Sequence, residues 1–133
     1  LKSYNGFTPD QRNKAQAWLN AQWKAGTLAR PSTCHACGQD QGIIDAHAED
    51  YSLPFAAGKT DQYHLCFRCH MMVHCRHRNL NRWRWYKEAV ANGMRFTPFH
   101  SRNFDLFAIQ TLNGLPPLEV QTDPREDVLG KIG

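Results

Sequence analysis

The chain has 133 residues and 41% hydrophobic content, enough for one domain with a modest core, while its net charge of +4 is too small to define a partner by itself. No apolar run approaches the roughly 18 residues of a membrane span, and the opening LKSYNGFTPD lacks both the charged start and the apolar stretch of a secretion signal. A soluble, cytoplasmic protein with no membrane contact is expected, and five cysteines with four in close pairs suit metal binding in a reducing compartment better than a disulfide framework.

A helix is predicted over residues 9–25. Thr8 is a capping residue, Pro9 takes the first helical position, Asp10 sits in the first turn, and Ala15, Trp18, Leu19 and Trp23 recur at helical spacing until Gly26. Its tryptophans are expected to pack in the core. The linker LARPST leads to Cys34 and Cys37, where Gly38 suits the tight turn of a metal knuckle. GIIDAHAE and DQYHLC read as two strands of a hairpin whose long loop, residues 50–60, holds Pro54, Gly58 and Lys59. FRCHMMVHCRHR follows as a helix of about three turns. Two more helices are expected, roughly 81–92 ending at Gly93 and near 101–113 ending at Gly114, before an extended tail. The expected class is therefore α+β in a single domain: helix and linker 9–30, core 31–79, helical extension 80–114, tail 115–133.

Cys34-x-x-Cys37 and Cys66-x-x-Cys69 enclose 28 residues, a spacing that can bring four thiolates around one ion. Soft sulfur ligands favour zinc, and a closed four-sulfur site acts as a staple, because it leaves no position for a substrate. His70 and His74 lie four apart on a predicted helix and so share a face, while His47 sits on the strand folding toward that helix. Three imidazoles with further positions open would make a catalytic kind of divalent-metal site. Imidazole favours zinc, nickel, cobalt or manganese over magnesium. Between Arg68 and Arg102 there are eight Lys and Arg against one acid, Glu88, a segment suited to a polyanion. Trp83, Trp85 and Tyr86 interleave with its arginines and are expected to pack this helix onto the N-terminal one.

The order CHAC, DAHAEDYSLP, DQYHLCFRCHMMVH over residues 34–78, about a third of the chain, resembles the HNH endonucleases, the ββα-metal nucleases, in the phage and restriction subgroup braced by a four-cysteine zinc. The resemblance implies a ββα-metal core with structural zinc on Cys34, Cys37, Cys66 and Cys69, flanked by an N-terminal helix and C-terminal helices. It implies metal-dependent hydrolysis of phosphodiester bonds in double-stranded DNA. His47, His70 and His74 would hold magnesium, manganese, nickel or zinc, and Asp61 stands where the motif has its central Asn and pins the hairpin loop. Arg68, Arg76, Arg78, Arg82 and Arg84 are the expected DNA contacts. A homodimer would serve cleavage of both strands.

The sequence departs from the family at one position. Members carry a second histidine after the first metal ligand, which takes a proton from the attacking water, and here that residue is Ala48. Losing a general base removes about 10²- to 10⁴-fold in rate. Ala48 is then a substitution that inactivates or impairs the enzyme, or Glu49 or His64 replaces the base, or the chain is a non-catalytic zinc-containing DNA-binding module. In that last reading Asp45 or His64 would close the histidine site as a fourth ligand.

Overall fold

The computed structural model describes residues 1–100 and 102. It is a small α+β structure whose described residues form α1 (Pro9–Ala25), β1 (Ile44–His47), β2 (Tyr63–Cys66), α2 (Phe67–Cys75) and α3 (Leu80–Ala91). No helix among them is long and apolar enough to cross a membrane. The helix expected near 101–113 and the tail lie outside the described residues.

Helix α1 starts and stops where its sequence says it should. The Thr8 hydroxyl accepts from Gln11 N at 3.2 Å while the Gln11 side chain accepts from Thr8 N at 2.8 Å, a reciprocal cap that satisfies two otherwise orphaned donors. Gly26 closes the helix at φ 76, a left-handed conformation that a side chain would strain.

Strands β1 and β2 pair antiparallel with Asp45 opposite Leu65, Ala46 opposite His64 and His47 opposite Tyr63. Because strand side chains alternate, Asp45, His47, Tyr63 and Leu65 share one face, and Ala46 and His64 share the other. Chain economy then places the histidines: α2 begins at the residue after β2 ends, so the helix lies back against its own hairpin. The hairpin loop is ordered by its own polar groups. Asp50 accepts from Ser52 N and Oγ at 2.9 and 2.6 Å, and Asp61 accepts from Gly58 N at 2.8 Å.

Two apolar clusters flank the ribbon. The larger joins Tyr63, Leu65, Met72, Val73, Trp83, Tyr86, Val90 and Phe96 around the four paired cysteines. The smaller sets Ala15 of α1 against Ala48 and Tyr51, with Tyr4, Phe7 and Phe55 beside it. The expected packing of α3 on α1 is therefore corrected: Trp83 and Tyr86, 1% and 0% exposed, face α2 and the cysteines. Trp18 and Trp23 are half-buried rather than central, Trp18 against Phe55 and Trp23 under the Arg30 guanidinium. Helix α2 is also shorter than expected and ends at Cys75.

Gly42 admits no substitute. It has φ 70, and a Cβ there would lie 2.3 Å from the Phe99 carbonyl oxygen, the same oxygen that accepts from Ile43 N at 2.8 Å. This contact seats the segment after α3 beside the start of β1.

Candidate metal centres

The sulfurs of Cys34, Cys37, Cys66 and Cys69 lie within 4.8 Å of one another, and no disulfide joins them. Two backbone knuckles bring them together. Cys37 N points at Cys34 Sγ and Cys69 N at Cys66 Sγ, each at 3.5 Å, and Gly38 N closes the first turn on the Cys34 carbonyl at 3.0 Å. Gln39 locks that turn, its backbone carbonyl accepting from Cys34 N and its amide donating to the Phe96 carbonyl at 2.7 Å. The knuckle then docks on β2, where His35 N donates to the His64 carbonyl at 2.7 Å.

Electrostatics favour a cation among these sulfurs. Hydrogen bonds from Cys37, Cys66 and Cys69 hold Cys34 as a thiolate, while donating to it pushes Cys66 up, and burial, then the bonds to the neighbouring sulfurs, push Cys69 up. Four sulfurs this close cannot all ionise alone, and a divalent cation removes the conflict. The 3.8 Å between Cys37 Sγ and Cys66 Sγ matches the spacing of about 3.8 Å that tetrahedral bonds of about 2.3 Å to one ion require. The four cysteines can therefore hold a metal ion.

His47, His70 and His74 form the second group, each offering a ring nitrogen within 4.8 Å of the others. His70 Nε2 and His74 Nε2 are 3.0 Å apart, close to the separation of roughly 3 Å for two nitrogens bound at about 2.0–2.1 Å to one ion. Asp45 takes the other side of the His70 ring, accepting from Nδ1 at 2.9 Å, so Nε2 carries the lone pair and turns it toward His74. Such an outer carboxylate fixes both tautomer and orientation in metal-ligating histidines. Arg102 forks onto the same carboxylate at 3.1 and 2.5 Å. Burial raises the Asp45 carboxyl, but the bonds from His70 and Arg102 outweigh it and hold its pKa at about 2.

His47 is 1% exposed, and burial lowers its pKa to about 4. The neutral ring donates from Nε2 to Glu49, which leaves Nδ1 buried with no partner in the protein. An orphaned buried nitrogen in a group of three imidazoles offers a lone pair suited to a metal ion. His74 falls to about 2, through burial first and then the neighbouring His70 and His47, with smaller contributions from Arg12 and Arg76. Buried neutral imidazoles are ready to ligate without first losing a proton.

Glu49 connects this cluster to distant parts of the chain. Besides His47 it pairs with the Arg76 guanidinium and accepts from the Tyr4 hydroxyl at 2.5 Å, and Arg76 Nη1 in turn donates to Tyr4 at 2.5 Å. Burial favours the acid form of Glu49, but the bonds from His47 and Tyr4 prevail and hold its pKa below the ordinary carboxylate value. The Tyr4 ring lies 4.7 Å from His74 and 5.6 Å from His47, a lid over the histidines that no motif announced.

The remaining site candidates scatter. Arg76 is 2% exposed and turned inward, which corrects its expected place on a polyanion-binding face. Arg68 is half-buried against Phe96 and Thr97, Arg82 is half-buried, Arg84 reaches Glu88 at 3.7 Å, and Arg78 is exposed. Ala48 is 1% exposed among Ala15 and Tyr51 and presents only a methyl group. Neither expected fourth ligand joins the histidines: Asp45 serves the outer side of His70, and His64 lies on the opposite face of the ribbon, stacked on His35 at 4.5 Å. Comparison of the chain with protein-family models, with curated proteins and with solved structures returns no match.

Proposed function

We propose that the protein is a ββα-metal endonuclease domain of the HNH type, acting on phosphodiester bonds of duplex DNA, with its activity crippled by Ala48. The observation that carries this reading is the convergence of His47 from β1 with His70 and His74 from α2, oriented from outside by Asp45 and Glu49. The four cysteines would hold zinc as a staple between the Cys34–Cys37 turn that precedes β1 and the junction of β2 with α2, and the three histidines would hold a separate divalent ion. That second ion, when bound, would supply Lewis-acid neutralisation of the charge that builds on a phosphate during cleavage.

The protein's own groups do the rest. Asp45 keeps His70 protonated at Nδ1, and Glu49 keeps His47 protonated at Nε2, so each ring presents one lone pair in a fixed direction. Asp61 restrains the hairpin loop through Gly58 N, the role its place in the motif implies. Arg78 and the arginines of α3 offer positive charge to a phosphate backbone. Water activation is the missing part. His64 faces away, Glu49 is engaged by His47, Tyr4 and Arg76, and Ala48 has no proton acceptor.

The test is supercoiled-plasmid cleavage by the unchanged chain beside Ala48→His, with magnesium, manganese, nickel and zinc in turn. Ala48→His should give nicked or linear product, and the unchanged chain about 10²- to 10⁴-fold less. If neither cuts with any metal while both retard DNA, the protein is a DNA-binding module instead, a reading to which the close packing of Ala48 against Ala15 lends some weight.

A further inference from the structure

A cavity of about 420 Å³ opens between α1 and β1. Arg12, Trp23 and Arg30 line it from the helical side, and Ala48, Thr60 and Arg102 from the other. His70 and its partner Asp45 also line it, so the cavity adjoins the histidine centre.

Its charge is unbalanced. Arg12 is 8% exposed and held by the Lys2 carbonyl at 2.5 Å, the Tyr51 hydroxyl at 3.4 Å, and the rings of Tyr4 and Tyr51. Among the described residues no carboxylate pairs with it, and its Nε is buried without a partner. Hydrogen bonds and rings hold this guanidinium, but its desolvated charge has no carboxylate among the described residues, and an anion in the cavity would supply the counter-charge. Arg30 adds a second positive charge, while Asp45, also on the wall, is already neutralised by Arg102. Thr60 is 4% exposed and its hydroxyl has no partner, nor has Trp23 Nε1.

We infer that this cavity binds a nucleotide through its phosphoryl group, with Arg12, Arg30 and Thr60 as the anion-recognising side chains and the Trp23 indole as the aromatic wall. A guanidinium forks onto phosphoryl oxygens with charge-assisted hydrogen bonds. The volume falls in the range of small-molecule sites, about 300–1,000 Å³, and leaves room for a sugar and base beyond the phosphate. The phosphoryl group comes either from a free mononucleotide or from the end of a nucleic-acid strand. The site stands on Arg12 and the cavity, so it holds whether or not the histidine centre cleaves DNA.

Isothermal titration of the full metal-loaded chain tests this with thymidine 5′-monophosphate, thymidine, and an oligothymidylate with or without a 5′-phosphate. The monophosphate is expected to bind at least 10-fold more tightly than thymidine. A 5′-phosphorylated strand binding at least 10-fold above its 5′-hydroxyl twin assigns the site to strand ends, and equal binding of the two strands assigns it to the free nucleotide. Arg12→Gln should abolish binding. Because Arg12 is buried and its loss could unfold the chain, Arg30→Glu at the exposed rim is the second variant, expected to weaken the monophosphate at least 10-fold with an unchanged far-ultraviolet circular dichroism spectrum and melting temperature. Thymidine binding as well as its monophosphate, no binding of the monophosphate at millimolar concentration, or full affinity in folded Arg30→Glu would each overturn the inference.

Discussion

Replacing Arg76 by methionine separates two roles that its sequence position allows. The side chain is 2% exposed, with Nη2 on Glu49, whose own side chain is 18% exposed, and with Nη1 on Tyr4 and on the Val73 carbonyl at 2.9 Å. Removing one member of a buried ion pair costs roughly 3–5 kcal/mol, because the surviving charge is left uncompensated. Glu49 keeps its bonds from Tyr4 and His47 and some contact with water, which places the expected loss near the lower end, about 3 kcal/mol. Urea unfolding of the metal-loaded protein measures it. Glu49→Gln combined with Arg76→Met should lose less than the sum of the two single changes, since the double variant leaves no bare charge behind. A folded Arg76→Met protein within about 0.5 kcal/mol of the unchanged chain, but with weakened DNA retention, would refute the inward role and return Arg76 to a binding face.

Asp45→Ala should weaken divalent-metal binding at the histidines by about 10- to 100-fold while leaving the cysteine-bound ion in place, as read by titration and metal content. Acid should destabilise the metal-free protein: below the ordinary histidine value of 6.5 the unfolded chain takes up protons that folded His47 refuses until about 4. Stability is thus full above pH 6.5 and falls by about 3 kcal/mol from His47 alone as the pH drops toward 4, whereas a protein equally stable at both ends of that window would not bury these rings neutral. Gly42→Ala should destabilise the fold and lower Tm by several degrees, because both its left-handed φ and the Phe99 carbonyl oppose a side chain; an unchanged melting curve would mean that this contact is absent in solution.

Local grammar made much of the fold legible. Thr8, Pro9, Gln11 and Gly26 define α1 through contacts within one helical turn, and the alternation through Asp45 and His47 followed by CFRCHMMVH defines the hairpin and α2. The cysteine pairs and His70 with His74 were readable for the same reason, since a knuckle and a helix turn each bring near neighbours together. The partners of those histidines were not readable. Tyr4 and Arg76 meet across 72 positions and Tyr4 and Glu49 across 45, and nothing in the local pattern of any of the three marks it for the others. Arg76 illustrates the limit: a string of arginines reads as a solvent-facing surface, and only the turn after α2 shows that one of them points back into the protein. The packing partner of α3 is not legible because amphipathicity tells which face is buried without telling what buries it.

The four cysteines and the three histidines are two ligand sets of different chemistry, each able to take its own ion. Cobalt(II) titration of the metal-free protein, followed by absorption spectroscopy, tests this directly. The first equivalent should give an intense sulfur-to-cobalt charge-transfer band from the four cysteines, and the second a weaker visible band without sulfur character that His74→Ala removes while sparing the first. Saturation at a single equivalent, with His74→Ala leaving every band unchanged, would mean that the histidines hold no ion of their own.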